Sequence, residues 1–356
     1  MLNSNSIGDG RFTASGKLPE ATLDYIPAQS KNEIKQATRP VRIGLAISSG
    51  GAKGLAHLGV IQVLEENNIP ITAVAGSSMG AYVGALWCAG YKGQQLQNLA
   101  EEIHSPKKLR ALSDMAFPPS QGLFWGKKAR EHLRKSIGDI TFERLVRPLY
   151  VIAADLDTHE RVIGRSGRVI DAVHASCAMP GVIVPVQYQG HRCIDGGVIE
   201  PIPIGTLRDF AEVDHVIAVS TIPSVREIEA CSLHPNPQRP RSLLQRACLR
   251  AIKPFNLLAA GNIMDTFNKS LKASQIRMAD DSYQYADIVI KPVSCIGNWY
   301  DYHQYDHFIQ IGREAAQRAL PEILKLLHPT LETAPPTLNE PTPYEPPTKL
   351  VGKCLK

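Results

Sequence analysis

The stretch that decides the fold is Gly76-Ser77-Ser78-Met79-Gly80, a G-x-S-x-G word inside an uncharged run from residue 69 to residue 91. β-Branched and apolar residues precede the word and helix-forming residues follow it, which predicts a strand, a tight turn and a helix. The glycines on either side of Ser78 permit that turn and let strand and helix approach closely. A serine held there presents its hydroxyl beside the free N–H groups of a helix start, which suits acyl transfer.

The same uncharged run is also long enough to cross a bilayer, and three of its glycines have small-xxx-small spacing. However, Pro70, Thr72 and the two serines dilute its apolar character, and no second such run occurs. A buried strand followed by a buried helix explains the lack of charge equally well. Because the first forty residues are polar, without an apolar signal region, we expect a cytoplasmic protein with no transmembrane segment.

Composition limits the class of protein. The chain has 356 residues, of which 44% are hydrophobic and 21% charged, and a mean hydropathy of −0.13. These values are typical of a globular protein with a substantial core. The net charge of +5 favours anionic surfaces as partners. Seven scattered cysteines without a C-x-x-C pair argue against a disulfide framework or a structural zinc site.

The chain divides by pattern into three parts. Residues 1–40 lack periodicity and are expected to form a flexible arm, and the Pro-rich residues 328–356 to form a disordered tail. Between them, residues 41–327 alternate strand-like and helical patterns, which predicts an α/β domain with a mostly parallel sheet flanked by helices. Residues 55–64 have helical spacing, Gly90 resembles a helix C-cap, and residues 111–126 are expected to form an irregular apolar loop. The predicted strands are residues 42–47, 149–153, 182–186 and 215–219.

A glycine-rich stretch, Ser49-Gly50-Gly51-Ala52-Lys53-Gly54, follows the first predicted strand. A Walker A loop requires Ser or Thr after the lysine, and a dinucleotide fingerprint requires glycine where Ser49 stands, so neither pattern fits. The remaining strand–glycine–helix turn exposes backbone N–H groups, which can hold an oxyanion or a phosphate. A nucleotide-binding α/β protein therefore stays open as an alternative.

A third word, Asp195-Gly196-Gly197, places a carboxylate after a strand-like segment. Taken alone, such a word is usually a turn. Taken in order, the glycine-rich turn, G-x-S-x-G and D-G-G resemble the patatin-like phospholipase family, and residues 171–181 also follow its pattern. The resemblance extends from about residue 42 to residue 325.

This resemblance implies a three-layer patatin-like fold and a lipid acyl hydrolase with a Ser–Asp dyad. Ser78 would be the nucleophile and Asp195 the general base, without metal or cofactor, acting on a lipid or lysolipid and not on nucleic acid. Ser49 stands where the family normally has glycine, which raises a catalytically impaired regulatory relative as a further alternative. The implied oxyanion hole is formed by Gly50, Gly51 and Ala52, and the supporting motif residues are Lys53, Gly54, Gly76, Gly80, Gly196 and Gly197.

Other side chains offer weaker alternatives. A Ser–His–Asp triad would need a histidine, and His57 and His174 lie near the motifs. The histidines after Asp195 have no motif around them, so a structural role is the default for each. Asp155 and Asp157 end a predicted strand but lack the spacing of a cation site. The histidines in question are His215, His234, His303, His307 and His328.

A basic amphipathic pattern lies between residues 231 and 264, a stretch without acidic residues. Its apolar positions recur at helical spacing, which predicts a helix that rests on anionic lipid at the periphery of a membrane. A surface helix packed on the core is the alternative. The basic positions are Arg239, Arg241, Arg246, Arg250 and Lys253.

Overall fold

The computed structural model describes residues 39–233, 263–292 and 298–327. In this part of the chain a central sheet has the strand order β10-β9-β1-β2-β4-β8-β7, with β5 paired to β4. Strands β10, β9, β1, β2 and β4 run parallel, and β5, β7 and β8 pair antiparallel. The short strands β3 and β6 pair separately. The strands are β1 (Ile43–Ile47), β2 (Ile71–Ser77), β3 (Gly122–Phe124), β4 (Leu149–Asp155), β5 (Arg161–Gly164), β6 (Gly181–Ile183), β7 (Val186–Tyr188), β8 (His191–Asp195), β9 (His215–Val219) and β10 (Ile288–Ile290).

Helices cover both faces of this sheet. Ile43, Leu45 and Ile47 point to the face covered by α1, α2, α6 and α10. Alternate residues such as Ala46 point to the other face, against α7 and α9. The result is the three-layer α/β architecture expected from the sequence. The helices are α1 (Ala56–Glu66), α2 (Met79–Cys88), α3 (Gly93–Glu102), α4 (Pro106–Ala111), α5 (Lys127–Ile137), α6 (Val169–Ser176), α7 (Ile204–Phe210), α8 (Val225–Leu233), α9 (Ile263–Ser282) and α10 (Tyr305–Leu327).

Helix α1 is almost entirely enclosed, since residues 56–64 of its eleven residues are buried. Its outer side packs on α10 through two glycines. A Cβ atom added to Gly59 would lie 2.0 Å from the Ile309 carbonyl oxygen, and one added to Gly312 would lie 2.0 Å from that of Ala56. The two backbones are therefore in direct contact, which no larger residue would allow.

Several expectations from the sequence can be compared with this fold. The predicted strand 215–219 is present with those bounds, whereas the predicted strand 42–47 begins one residue later, at Ile43. The predicted strand 149–153 extends to Asp155, and Gly90 follows α2 with a φ of 106°. The predicted strand 182–186 is wrong, because β6 and β7 are separate strands in different sheets. Pro185 between them lacks an N–H donor for a continuous ladder. Residues 111–126, expected to be irregular, contain β3.

The uncharged run from residue 69 to 91 forms the buried strand β2 and the helix α2. No helix among the described residues combines the length and apolar character needed to cross a membrane. The predicted N-terminal arm (residues 1–38 of it), the Pro-rich tail and most of the predicted basic helix (residues 234–262) lie outside the described residues. They stay predictions.

Candidate active site

Ser78 occupies the sharp turn between β2 and α2. Its backbone has φ 54° and ψ −119°, a conformation that costs energy for a residue with a side chain. The flanking glycines are sterically required. A Cβ atom on Gly80 would lie 2.3 Å from the Ile47 carbonyl oxygen, and one on Gly76 would lie 2.6 Å from the Ala81 nitrogen. The turn expected from the G-x-S-x-G word is therefore present, with the serine at its apex.

Three hydrogen bonds hold this strained turn. The Ser78 N–H donates to the Ser176 hydroxyl at 2.8 Å, and the Ser78 carbonyl accepts from the Tyr82 N–H at 3.0 Å and from the Cys177 thiol at 3.4 Å. Ser176, fully buried at the end of α6, was missed by the sequence analysis. It belongs to residues 171–181, which carried part of the family resemblance without an assigned role.

Asp195 lies beside this turn although it is 117 positions away in sequence. As the last residue of β8, it pairs with Ala153 of β4. The Ser78 hydroxyl donates to its Oδ2 at 2.5 Å, and the Gly197 N–H donates to its Oδ1 at 2.7 Å. The backbone at Gly196 lies very close to that of β4, since a Cβ atom on Gly196 would lie 2.1 Å from the Ile152 carbonyl oxygen. The two residues singled out from sequence thus form a hydrogen-bonded pair.

The environment of Asp195 makes its carboxylate more basic than usual. Burial raises its pKa to about 6, although hydrogen bonds from Ser78 and from the Gly197 N–H act in the opposite direction. The carboxylate is therefore ionised at neutral pH, yet closer to accepting a proton than an exposed aspartate. A hydroxyl donor and a basic acceptor in direct contact can generate an alkoxide-like nucleophile.

The glycine-rich turn lies between β1 and α1 and packs against the start of α2. A Cβ atom on Gly54 would lie 2.5 Å from Cγ of Met79. Over the described ranges, neither Gly50 nor Gly51 has a hydrogen-bond acceptor for its N–H, whereas the Ala52 N–H donates to the Trp299 carbonyl at 2.6 Å. Two of the three expected oxyanion donors are therefore open in this structure, and the third is occupied by the chain itself.

Ser49 fits the turn without backbone strain. It is not among the non-glycine residues with positive φ in the described chain, whereas Gly51 has a φ of 56°. Its side chain is buried, and its hydroxyl has no partner among the described residues. That hydroxyl lies 3.0 Å from the position that a Cβ atom on Gly197 would take. The serine thus brings an unpaired hydroxyl to the turn that holds Asp195.

No described histidine bonds to the Ser78 hydroxyl, whose acceptor is Asp195. Burial lowers the pKa of His57 to about 4, so its ring is neutral, and its Nε2 donates to the Ser48 carbonyl at 2.8 Å. His174 bonds through Nε2 to the Trp125 carbonyl. These two histidines support loops around the site, and His57 steadies the glycine-rich turn directly.

Most of the remaining acidic and histidine candidates are engaged elsewhere or lie outside the described residues. Asp155 accepts a hydrogen bond from Nδ1 of His191 at 2.7 Å, and hydrogen bonds, first from the Asp157 N–H and then from His191, lower its pKa to about 2. His215 bonds to Asp287. Over residues 39–233, 263–292 and 298–327, no group of three His, Cys, Asp or Glu side chains is arranged to hold a metal ion. His234 and His328 fall beyond those ranges.

A cavity of about 860 Å³ has Ser78 and Asp195 on its wall. Its size is that of a small-molecule site, and apolar side chains provide much of the wall. Near the glycine-rich turn it is lined by Lys53 and Lys272. Burial, followed by repulsion from Lys272, lowers the pKa of Lys53 to about 8. Apolar residues on the wall include Tyr82, Leu86, Leu96, Leu133, Val173 and Val182.

The chain is similar to a known protein family and to individual proteins of that kind. Residues 45–208 match the family described as patatin-like phospholipase. The chain is 34% identical over 195 residues to an uncharacterized NTE family protein of Mycobacterium tuberculosis, covering 55% of this chain and 53% of the relative. It is 29% identical over 181 residues to Neuropathy target esterase sws of Drosophila melanogaster, covering 50% of this chain and 13% of that protein.

Among solved structures, the crystal structure of VipD from Legionella pneumophila is similar with a TM-score of 0.40 and 13% identity, covering 80% of this chain and 67% of that one. The chain spans about half the length of the Mycobacterium relative.

Proposed function

Given that residues 45–208 match the patatin-like phospholipase family, we propose that this protein is a lipid acyl hydrolase that cleaves a carboxylic ester of a lipid or lysolipid. Ser78 is the nucleophile and Asp195 the general base. The observation that carries the proposal is the hydrogen bond of 2.5 Å from the Ser78 hydroxyl to the Asp195 carboxylate, on the wall of a largely apolar cavity.

The reaction has two halves. Asp195 takes the hydroxyl proton as Ser78 Oγ attacks the ester carbonyl, and the N–H groups of Gly50 and Gly51 stabilise the resulting oxyanion. Collapse of this intermediate breaks the ester bond, and the leaving alkoxide takes the proton from Asp195. Asp195 then removes a proton from water, which attacks the acyl-enzyme and releases the fatty acid while Ser78 recovers its proton.

Three features of the described residues support this assignment. The positive φ of Ser78 is held by neighbours that fix the hydroxyl in place, as expected for strain stored at a functional site. The raised pKa of Asp195, caused by burial, suits proton transfer near neutrality. Helix α2, which begins directly after Ser78, directs the positive end of its dipole at developing negative charge.

The test is hydrolysis of a panel of phospholipids, lysophospholipids and neutral acyl esters by the wild type and by Ser78→Ala and Asp195→Asn. We expect each variant to fold and to lose at least about a thousandfold in kcat/KM. The matched control is Asp155→Asn, a buried carboxylate on the neighbouring strand that bonds to His191 instead of Ser78. Retained turnover in either dyad variant, or equal loss in the control, would reassign the chemistry.

Two alternatives from the sequence have their own discriminating measurements. A catalytically impaired relative would not react with a fluorophosphonate probe, whereas an active enzyme would be labelled on Ser78. A nucleotide-binding protein would be protected against thermal unfolding by nucleotide, and this protection would persist in Ser78→Ala. Labelling on Ser78 without nucleotide protection is the result expected here.

A further inference from the structure

A loop beside the cavity has a fixed base and an exposed tip. The Ala116 N–H donates to the Leu123 carbonyl, and the Trp125 N–H to the Asp114 carbonyl, both at 2.9 Å. Strand β3 at the end of the loop pairs with β6, where a Cβ atom on Gly122 would lie 2.6 Å from the Val184 nitrogen. Because hydrogen bonds fix the two ends of the loop, its tip is held in a defined position.

This loop exposes large apolar side chains. Phe117 is 90% exposed, Met115 70% and Trp125 41%. Each would gain free energy by leaving water for an apolar environment. An exposed apolar cluster beside a cavity indicates an interaction surface for a protein, a membrane or a ligand.

The segment that carries this apolar cluster is rich in cations. From residue 103 to residue 129 the only acidic residue is Asp114, against five lysines and arginines. Its carboxylate already accepts hydrogen bonds from the N–H groups of Gly126, Lys127 and Lys128. The Lys127 ammonium also lies 5.0 Å from the centre of the Trp125 ring. The five exposed cations are Lys107, Lys108, Arg110, Lys127 and Lys128.

The cluster lies at the cavity, because five residues between positions 112 and 126 line its wall: Leu112, Ser113, Asp114, Phe124 and Gly126. We define Met115, Phe117 and Trp125, together with the five cations, as the entrance surface. A ligand lying on this surface is directly next to the cavity that contains Ser78.

We propose that the entrance surface docks on the anionic face of a lipid bilayer. Met115, Phe117 and Trp125 enter the boundary between headgroups and acyl chains, and the surrounding lysines and Arg110 contact anionic headgroups. A bilayer is the partner that offers negative charge and an apolar interior next to one another over the whole patch. The choice of a lipid partner rests on the proposed function, whereas the surface itself is defined by exposure and charge.

The experiment measures binding without turnover, in Ser78→Ala protein, by cosedimentation with vesicles of phosphatidylcholine alone or of equimolar phosphatidylcholine and phosphatidylserine. The apolar variant replaces Met115, Phe117 and Trp125 by Ser. Its control is Val146→Ser, which is 65% exposed and absent from the cavity wall. The charge variant replaces Lys107, Lys108 and Lys127 by Gln, and its control replaces three exposed lysines away from the cavity, namely Lys92, Lys135 and Lys325.

We expect the apolar variant to bind both vesicles at least about tenfold more weakly. The charge variant should lose on the order of a hundredfold on the phosphatidylserine vesicles and little on phosphatidylcholine. Both controls should bind as the parent does. Unchanged binding of the two test variants would overturn the proposal, as would a loss of self-association in sedimentation velocity with vesicle binding intact, which would assign the surface to a second copy.

The same substitutions with Ser78 intact are then assayed on a water-soluble short-chain ester. We expect kcat/KM to be unchanged, since docking is not needed for a dissolved substrate. A parallel loss would show that the surface acts on the site itself and would overturn the docking role. Absence of any ester hydrolysis would refute the proposed function while leaving the vesicle-binding result valid.

Discussion

The two edges of the central sheet, formed by the carboxyl ends and by the amino ends of its parallel strands, differ in how charged groups and backbone strain are accommodated. At the carboxyl edge, Ser78 has a positive φ and Asp195 is a buried carboxylate with a raised pKa. At the amino edge, Asp287 accepts hydrogen bonds from Arg208 at 2.6 Å and from His215 at 3.0 Å. Although partial burial acts to raise the pKa of Asp287, hydrogen bonds from the Val216 N–H, His215 and Arg208 hold it below its usual range.

This difference shows that, within one fold, the groups that stabilise the protein and the groups proposed for catalysis lie at different edges of the sheet. Ion pairs with matched partners at the amino edge favour the folded state, whereas the strain and buried charge at the carboxyl edge oppose it. Such costs persist where the surrounding structure holds them for a functional reason. Removal of the carboxylate of Asp195 and of that of Asp287 should therefore change the free energy of unfolding in opposite directions.

The largest effect should follow from filling the space at the strained turn. In Gly80→Ala the new methyl group would lie 2.3 Å from the Ile47 carbonyl oxygen and 2.6 Å from that of Ser48, both rigid backbone atoms. We expect kcat/KM to fall more than about a hundredfold, with a loss of at least about 3 kcal/mol in the free energy of unfolding. Ester hydrolysis and urea denaturation measure the two quantities.

Gly205→Ala is the control for this substitution, because its new methyl group would lie near side-chain atoms only, 3.1 Å from the Glu200 carboxylate and 3.7 Å from the Arg161 guanidinium, and near no rigid backbone atom. It should leave activity and stability nearly unchanged. Comparable loss in both variants would mean that close packing at the turn has no special importance.

The next effect is on the pH dependence of activity. Because burial raises the pKa of Asp195 to about 6, the carboxylate becomes protonated below that pH and can no longer accept the Ser78 proton. We expect kcat/KM to fall about tenfold per pH unit below pH 6. Circular dichroism at each pH shows whether the protein stays folded. An acidic limb near pH 4 in folded protein would contradict a buried Asp195 as base.

The two edges can be compared directly through stability. The folded-state pKa of Asp195 exceeds its ordinary value of 3.8, so the folded state binds its proton more tightly and loses stability as pH rises from about 4 to about 6. Asp195→Asn lacks this loss and should be about 3 kcal/mol more stable than the wild type at pH 8, with a smaller difference at pH 4.

Asp287→Asn should have the opposite sign at pH 8, because it removes the charged partner of Arg208 and His215. We expect a loss of about 1 kcal/mol. Thermal unfolding of both variants at the two pH values provides the measurement. Destabilisation by both substitutions at pH 8 would remove the distinction between the edges.

The smallest effect concerns Ser49. Replacement by glycine removes a buried hydroxyl that has no partner among the described residues, and this gain is offset by the greater freedom of glycine in the unfolded chain. We expect stability to change by less than about 1 kcal/mol and kcat/KM to change little. A large loss of activity in Ser49→Gly would reveal a role for the hydroxyl in the reaction.

Much of the fold was predictable because its signals are local. The strands before the glycine-rich turn and before Ser78 are apolar runs next to glycines. Strand β9 has its predicted bounds, and β1 differs from its predicted bounds by one residue. The contact between Ser78 and Asp195 was expected from the family resemblance, since no spacing rule links residues 117 positions apart.

The supporting contacts could not be predicted from the sequence. The Ser176 hydroxyl that binds the Ser78 N–H lies on another helix, and the Gln275 side chain, which donates to the Gly197 carbonyl, lies on α9. The Trp299 group that occupies the Ala52 N–H is a backbone carbonyl, which every residue type possesses. Contacts of these kinds depend on tertiary packing and leave no pattern in the chain.

The direct backbone contact of Gly59 with α10 bears on how the protein can be trimmed. The family match ends at residue 208, but α10 begins at Tyr305 and shields the helix that follows the glycine-rich turn. A truncation at the edge of the recognised homology would expose that apolar helix to solvent and remove the scaffold behind the N–H donors. The smallest autonomous unit for engineering therefore includes α10.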